Sequence, residues 1–249
     1  KIYSRLIKMK INELKQDLAA AFRWTARLNM NEGIANHFSV CLPNSNDFYV
    51  NGSGLHFSSI KASDMVLVEQ DKVEEIKKKP ELVDPTALNI HGTIHKKVPH
   101  ARCILHVHSK YATALSTLKD PTLKPIDQNT MRFYNRVAIY NDFGGLGFEE
   151  ESNKMASTIG NNHSMLLANH GILTVGQTVA EAFDELYYFE KACETYITAL
   201  STNQKLNIVS SKVAEKTAQE WENYPVNMGQ QHLNEIKKIL DKEEPNYKK

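Results

Sequence analysis

Apolar residues in the stretch INELKQDLAAAFRWTARLNM recur at Ile11, Leu14, Leu18, Phe22, Ala26 and Met30. A period of three to four residues predicts one amphipathic helix with a buried stripe, ended by the following NEG. The pattern then shortens. HFSVCLP and DFYVNGSG read as strands joined by the turn-rich PNSND, a hairpin signature, and DMVLVEQD is a third strand. In DPTALNIHGTIHKKV, Asp84 is a good N-cap, Pro85 suits the first turn, and Leu88, His91 and His95 fall on one face. RCILHVHS returns to strand and YATALSTL to helix.

A loop containing PIDQNTMRFYNRVAIY leads to the Gly-rich DFGGLGFEEE and an amphipathic segment ending at Ile159. SMLLANHGILTVG reads as two buried strands around a turn. A long helix follows, with Ala182, Leu186, Phe189, Cys193 and Ile197 at helical spacing, and the charged segment from Ser210 adds one more, peripheral helix. Helices and strands interleave throughout, which predicts an α/β-type domain with hairpins as well as crossovers.

Composition narrows the function classes. With 249 residues, 41% of them hydrophobic and 24% charged, the chain can bury one large core, and a single domain is expected. A formal net charge of +1 gives no sequence-independent attraction to nucleic acid. The KKK run at 77–79 sits among acids and reads as solvated surface. No stretch reaches the roughly 18 apolar residues of a membrane span, and KIYSRLIKMK is too charged for a signal-peptide core, so no membrane partner and a cytoplasmic location are expected. Cys41, Cys103 and Cys193 are odd in number and widely spaced, as expected for reduced thiols.

The chemistry lies in the histidines. In CILHVHS, residues i and i+2 of a strand share a face, so His106 and His108 aim two imidazoles at one place. In LLANHGIL, His170 stands at a turn between two strand-like runs and is the natural third ligand. Three neutral imidazoles would leave coordination positions open on Zn²⁺, Mn²⁺ or a similar ion, as catalytic sites require. Spacing alone is equally compatible with three unrelated histidines.

ILHVHSKYATALS, followed by LLANHGILTVGQTVAEAFDELYYFEKACETY, resembles the class II aldolase/adducin family, as do EGIANHFSV and NGSGLHF. The resemblance implies a class II aldolase/adducin-type domain over residues 10–205, with residues 206–249 as its C-terminal helical extension. It implies a three-layer α/β/α fold with a central, largely antiparallel sheet, and one divalent metal ion per subunit on His106, His108 and His170. It further implies a homotetramer with sites between subunits. Family sugar-phosphate enzymes hold phosphate with three elements that correspond here to Asn36-His37-Phe38-Ser39, Ser53-Gly54 and Pro85-Thr86-Ala87. His37 replaces the family's Asn, and only Thr86 keeps a hydroxyl in the third, so a carboxylate is an alternative occupant of that pocket.

A second departure concerns the base. The aldolases and epimerases place an acid one helical turn before the helix histidine, and here that position is Ala87. The chain therefore resembles the adducin-like branch, some of whose members resemble decarboxylases of hydroxylated acids. Decarboxylation requires an electron sink and then an acid to protonate carbon, a task assigned to His91 or His95, with His37 in the nearby loop. The alternative for His91 and His95 is packing in the core or bonding across a subunit boundary. Gln128 and Arg132 in DQNTMRF are candidate pocket residues for a carboxylate, with Asn36, Ser53, Gly54 and Thr86. The expected activity is that of a metal-dependent carbon–carbon lyase on a small hydroxy-carbonyl or hydroxy-acid. A non-catalytic adducin-like assembly domain and a sugar-phosphate epimerase or dehydratase are the alternatives.

Overall fold

The computed structural model describes residues 2–146, 148 and 150–249, with side chains from Lys8 onward. In chain order the helices are α1 (Ile2–Arg27), α2 (Val73–Ile76), α3 (Pro85–Lys97), α4 (Lys110–Ser116), α5 (Gln128–Arg132), α6 (Glu150–Ile159), α7 (Val179–Ser201), α8 (Ser211–Glu222) and α9 (Met228–Glu243). The strands are β1 (His37–Cys41), β2 (Phe48–Asn51), β3 (Met65–Val68), β4 (Cys103–Val107), β5 (Val137–Tyr140), β6 (Ser164–Leu167) and β7 (Gly171–Gly176). The strands form one seven-stranded sheet in the order β3-β2-β1-β4-β7-β6-β5. Every neighbouring pair is antiparallel except β5 and β6, whose parallel pairing is spanned by α6.

Alternation along the strands builds the layers. Cys103, Leu105 and Val107 of β4 enter one core with Phe38 of β1, Phe22 of α1, and Phe183, Leu186 and Phe189 of α7. Ile104 faces the other way, into a second core with Ile90 and Ile94 of α3 and Met155 and Ile159 of α6. Helices on both faces of the sheet make the three-layer α/β/α arrangement, as expected. This parity also decides where the histidines go. His106 has the parity of Ile104, and the register sets His37 of β1 directly beside it, so both face α3.

Two expectations about secondary structure are corrected. The segment read as a loop contains α5 and β5. Asp127 accepts from the Thr130 N–H at 2.8 Å and closes the first turn of α5, while VAIY pairs with β6 as an edge strand. The C-terminal segment is two helices rather than one peripheral helix. Leu233, Ile236 and Leu240 of α9, with the fully buried Tyr247, join the α1–α7 core, because the apolar stripe of α9 covers the face that those helices leave open. Gly147 and Glu149 of the Gly-rich segment lie outside the described residues. No described helix is long and apolar enough to cross a membrane.

Candidate metal centre

The end of β4 and the β6–β7 turn deliver the three histidines. His106 is the penultimate residue of β4 and His108 follows the strand. Asn169 adopts φ +57°, a left-handed conformation that asparagine tolerates, and this reverses the chain so that His170 meets the other two. A Cβ on Gly171 would stand 2.5 Å from the Val107 carbonyl oxygen and 3.1 Å from Cδ2 of His108. The Asn-His-Gly sequence thus has a steric reason: one residue turns the chain, one projects, and one lets the two strands close. One ring nitrogen from each of His106, His108 and His170 lies within 4.8 Å of the others.

Whether these residues suit a cation is decided by their protons. Nδ1 of His106 lies 3.0 Å from the Ile172 carbonyl oxygen, and Nδ1 of His108 bonds the Glu32 carboxylate. Both partners can only accept, so both Nδ1 atoms carry hydrogen and, in neutral rings, both Nε2 atoms carry lone pairs. Those Nε2 atoms face each other at 3.1 Å. Burial, with the neighbouring His170, His37 and His108, holds His106 well below its ordinary value, so protonation does not relieve the contact. Burial likewise lowers His170 to about 4. Converging lone pairs with outward N–H groups held by a carbonyl and a carboxylate are a donor set that a divalent ion satisfies.

A second group of histidines lies behind the first. His37 Nδ1 is 2.6 Å from His91 Nε2, and the hydroxyl of Ser39 contacts His91 Nδ1 and, at 2.7 Å, His95 Nε2. His95 Nδ1 ends the series 2.6 Å from the Ala101 carbonyl oxygen. All four side chains are buried. Burial lowers His37 to about 4, opposed chiefly by the Asp84 carboxylate, and lowers His95 to about 3 and His91 well below the usual range. The structure brings His37 and His91 toward the triad, with ring centroids of His37 and His106 5.0 Å apart. His95 lies one step deeper, against Phe48.

The proposed ligand-contacting residues divide. Asn36 precedes His37 and accepts from the Glu32 N–H at 2.6 Å, and its own amide Nδ2 is buried without a partner. Ser53 is tied to the approach to α3 by a bond from its N–H to the Leu82 carbonyl, and Gly54 is exposed with φ +75°. The hydroxyl of Thr86 donates to Asp84, which also takes the N–H groups of Thr86 and Ala87. The N–H groups that would receive an anion at the start of α3 are therefore already used by its own cap.

Gln128 is exposed at the first position of α5. Arg132 goes elsewhere. It pairs with Asp184 at 2.9 Å and Glu185 at 3.7 Å and stacks on Tyr188 and Trp221. Glu185 bonds Ser164, at the end of β6 opposite the turn that carries His170. Arg132 is thus not brought to the histidines, because a carboxylate of α7 engages it on the other side of the sheet.

Two contributors, Glu32 and Glu190, are not singled out by the sequence, and Ser39 enters there only within the stretch matched to the family's phosphate loop. Glu32 sits in a loop 76 residues from its partner His108. Ser39 shares strand parity with His37, the same signal that linked His106 and His108. Glu190 of α7 accepts from the Ser109 hydroxyl at 2.6 Å and from the Tyr111 and Ala112 N–H groups, both at 2.9 Å. It thereby anchors the start of α4 immediately after His108.

Residues 16–197 match the model of the class II aldolase and adducin N-terminal domain. The chain is 36% identical over 179 residues to the meiotically up-regulated gene 14 protein of Schizosaccharomyces pombe, covering 71% of this chain and 69% of that protein. It is 30% identical over 189 residues to the decarboxylase NovR of Streptomyces niveus, covering 75% and 69%. Among solved structures, L-fuculose 1-phosphate aldolase of Glaciozyma antarctica superposes with a TM-score of 0.83 at 27% identity, covering 98% of this chain and 94% of that one.

Proposed function

The chain belongs to the class II aldolase and adducin family, and from that premise we propose that it is a divalent-metal-dependent carbon–carbon lyase acting on a small hydroxy-carbonyl or hydroxy-acid. The observation that carries this reading is the pair of facing Nε2 lone pairs of His106 and His108, completed by His170. His106, His108 and His170 would hold the ion, and of Zn²⁺ and Mn²⁺ it is Zn²⁺ that better suits an all-imidazole ligand set. When bound, such an ion supplies Lewis acidity to a chelated carbonyl or hydroxyl as a C–C bond breaks.

The protein's own groups prepare that site. The Ile172 carbonyl and Glu32 fix the ring orientations of His106 and His108. Gly171 sets the backbone approach, and His37 stands beside the triad as the nearest further imidazole. Two features favour decarboxylation of a hydroxy acid over cleavage of a sugar phosphate. Ala87 stands, buried, where the related aldolases carry an acid, and Asp84 already occupies the α3 amides that would bind a phosphate. The similarity to a named decarboxylase supports the same choice.

Assembly as a homotetramer belongs to the proposal. Phe143, Leu146 and Phe148 are 51%, 68% and 50% exposed, and the Phe143 ring centroid lies 6.2 Å from that of His170. An exposed apolar ring beside the site, with Leu146 and Phe148 exposed further along the same segment, is suited to cover from a second copy.

Elemental analysis of protein purified without chelator tests the reading, comparing wild type with His106→Ala and His170→Ala. Near-stoichiometric metal in wild type and background metal in both variants is expected, followed by CO₂ release from a hydroxy-acid panel. A folded wild type with no better metal affinity than the variants would overturn it.

A further inference from the structure

The buried polar chain behind the triad has a direction, and that direction determines what His37 offers to a ligand. A carbonyl oxygen only accepts, so His95 Nδ1 carries the hydrogen it presents to Ala101 at 2.6 Å. A neutral His95 therefore has a lone pair on Nε2, and Ser39 spends its single proton there at 2.7 Å. The serine oxygen is left to accept from Nδ1–H of His91. His91 Nε2 is then a lone pair, and Nδ1–H of His37 donates to it at 2.6 Å. One backbone carbonyl thus sets four bonds in sequence. All three rings are buried and none of these bonds runs to a carboxylate, so the neutral forms that this logic requires are the ones a desolvated site favours.

The end of the series lies at the candidate site. With Nδ1 committed, His37 has Nε2 left, and that atom has no hydrogen-bond partner among the described residues and is not among the enclosed unsatisfied atoms. The ring lies beside that of His106. Building on the functional reading above, we propose that Ser39, His91 and His95 are positioning residues that lock His37 as a hydrogen-bond acceptor, so that the site selects a ligand presenting an O–H donor over one presenting a bare oxygen. An ether, phosphate or carboxylate oxygen at that point would face the His37 lone pair. A hydroxyl would complete the chain, and buried sites built for a hydroxyl reject its isosteres strongly.

Imidazole ¹⁵N spectra of the whole protein without added metal test the direction without any reference to activity. Nδ1-protonated His37, His91 and His95 in wild type are expected, and an Nε2-protonated ring at any of the three overturns the proposal. Ser39→Ala should let His91 and His37 exchange tautomers, whereas Ser39→Thr, which keeps the hydroxyl, should restore the wild-type pattern. Glycolate and methoxyacetate, both oxygen chelators, then read the selection on metal-loaded protein. Glycolate should bind at least about tenfold more tightly to wild type, with the preference falling to about twofold in Ser39→Ala at unchanged metal occupancy. Equal binding of the two ligands by wild type overturns the selection. If the protein takes up no metal, the functional reading above fails, while the tautomers still decide the direction of the chain.

Discussion

Two buried polar clusters lie toward opposite ends of the sheet, and only one of them is incomplete. Around Arg132 the charges close on themselves. Burial alone would raise Asp184, but the bond from His232 and the adjacent Arg132 guanidinium outweigh it and hold the carboxyl below its usual value. Tyr188 and Trp221 cover the guanidinium face. Around His106 burial pushes His106 itself, His170 and His37 toward neutrality, and the Nε2 atoms of His106 and His108 face each other. A cluster that balances itself is architecture. A cluster in which the N–H groups of His106 and His108 point outward and their other nitrogens face each other is one that could hold a cation.

Acid separates the two clusters most strongly. Each buried histidine is neutral when folded and takes up a proton near 6.5 when unfolded, so its contribution is complete above about pH 6.5. It is lost as pH falls toward about 4 for His37 and His170 and about 3 for His95. Each such group costs about 1.4 kcal/mol per pH unit across that window. Asp184 has the opposite history: its folded value is depressed, so its contribution holds above 3.8 and fades only below that. Chemical denaturation of chelated protein from pH 7 to pH 4 should show a steep loss of stability. Arg132→Ala should leave the slope intact, and a slope shared equally by both clusters would contradict the contrast.

Arg132→Ala is itself the next largest change. It removes the guanidinium from a carboxylate whose side chain is only 6% exposed, which should cost about 3 kcal/mol of stability. Metal binding should be unchanged, because the residue lies across the sheet from His170. Urea unfolding and metal titration on the same variant measure both halves of the statement. A fall in metal affinity would mean that the Arg132 cluster is not separate from the site.

The sequence made one cluster legible and misassigned part of the other for a single physical reason. Parity along a strand is local, so His-x-His, the turn before Gly171 and the His91–His95 face could all be read without the fold. Its polar neighbours make Arg132 read as a pocket residue, yet its partner Asp184 lies 52 residues away. The same limit hid Glu32, whose loop has no periodicity to read. The sequence reads Ser39 as part of a phosphate loop, because its parity with His37 carries no signal of a histidine partner until His91 and His95 are known to face it. The layers and the antiparallel sheet followed from pattern and resemblance together. The joining of α9 and Tyr247 to the core did not, because its complementary face lies on α1 and α7, far back in the chain.

Glu32 gives the smallest and sharpest test of the contrast. Its carboxylate is 63% exposed, so an electrostatic contribution to folding would be screened and small. Its contact with His108 Nδ1 serves instead to fix which nitrogen faces inward. Glu32→Gln keeps the shape and, through its amide oxygen, still allows the ring N–H to donate, but it removes the negative charge from the group that holds that N–H. Metal affinity should fall about 10- to 100-fold with little change in unfolding free energy, and Glu32→Ala should fall further. A competition titration against a chelator reads this directly. Loss of stability without loss of affinity would place Glu32 with the self-balanced architecture around Arg132 and leave His108 oriented by its backbone alone.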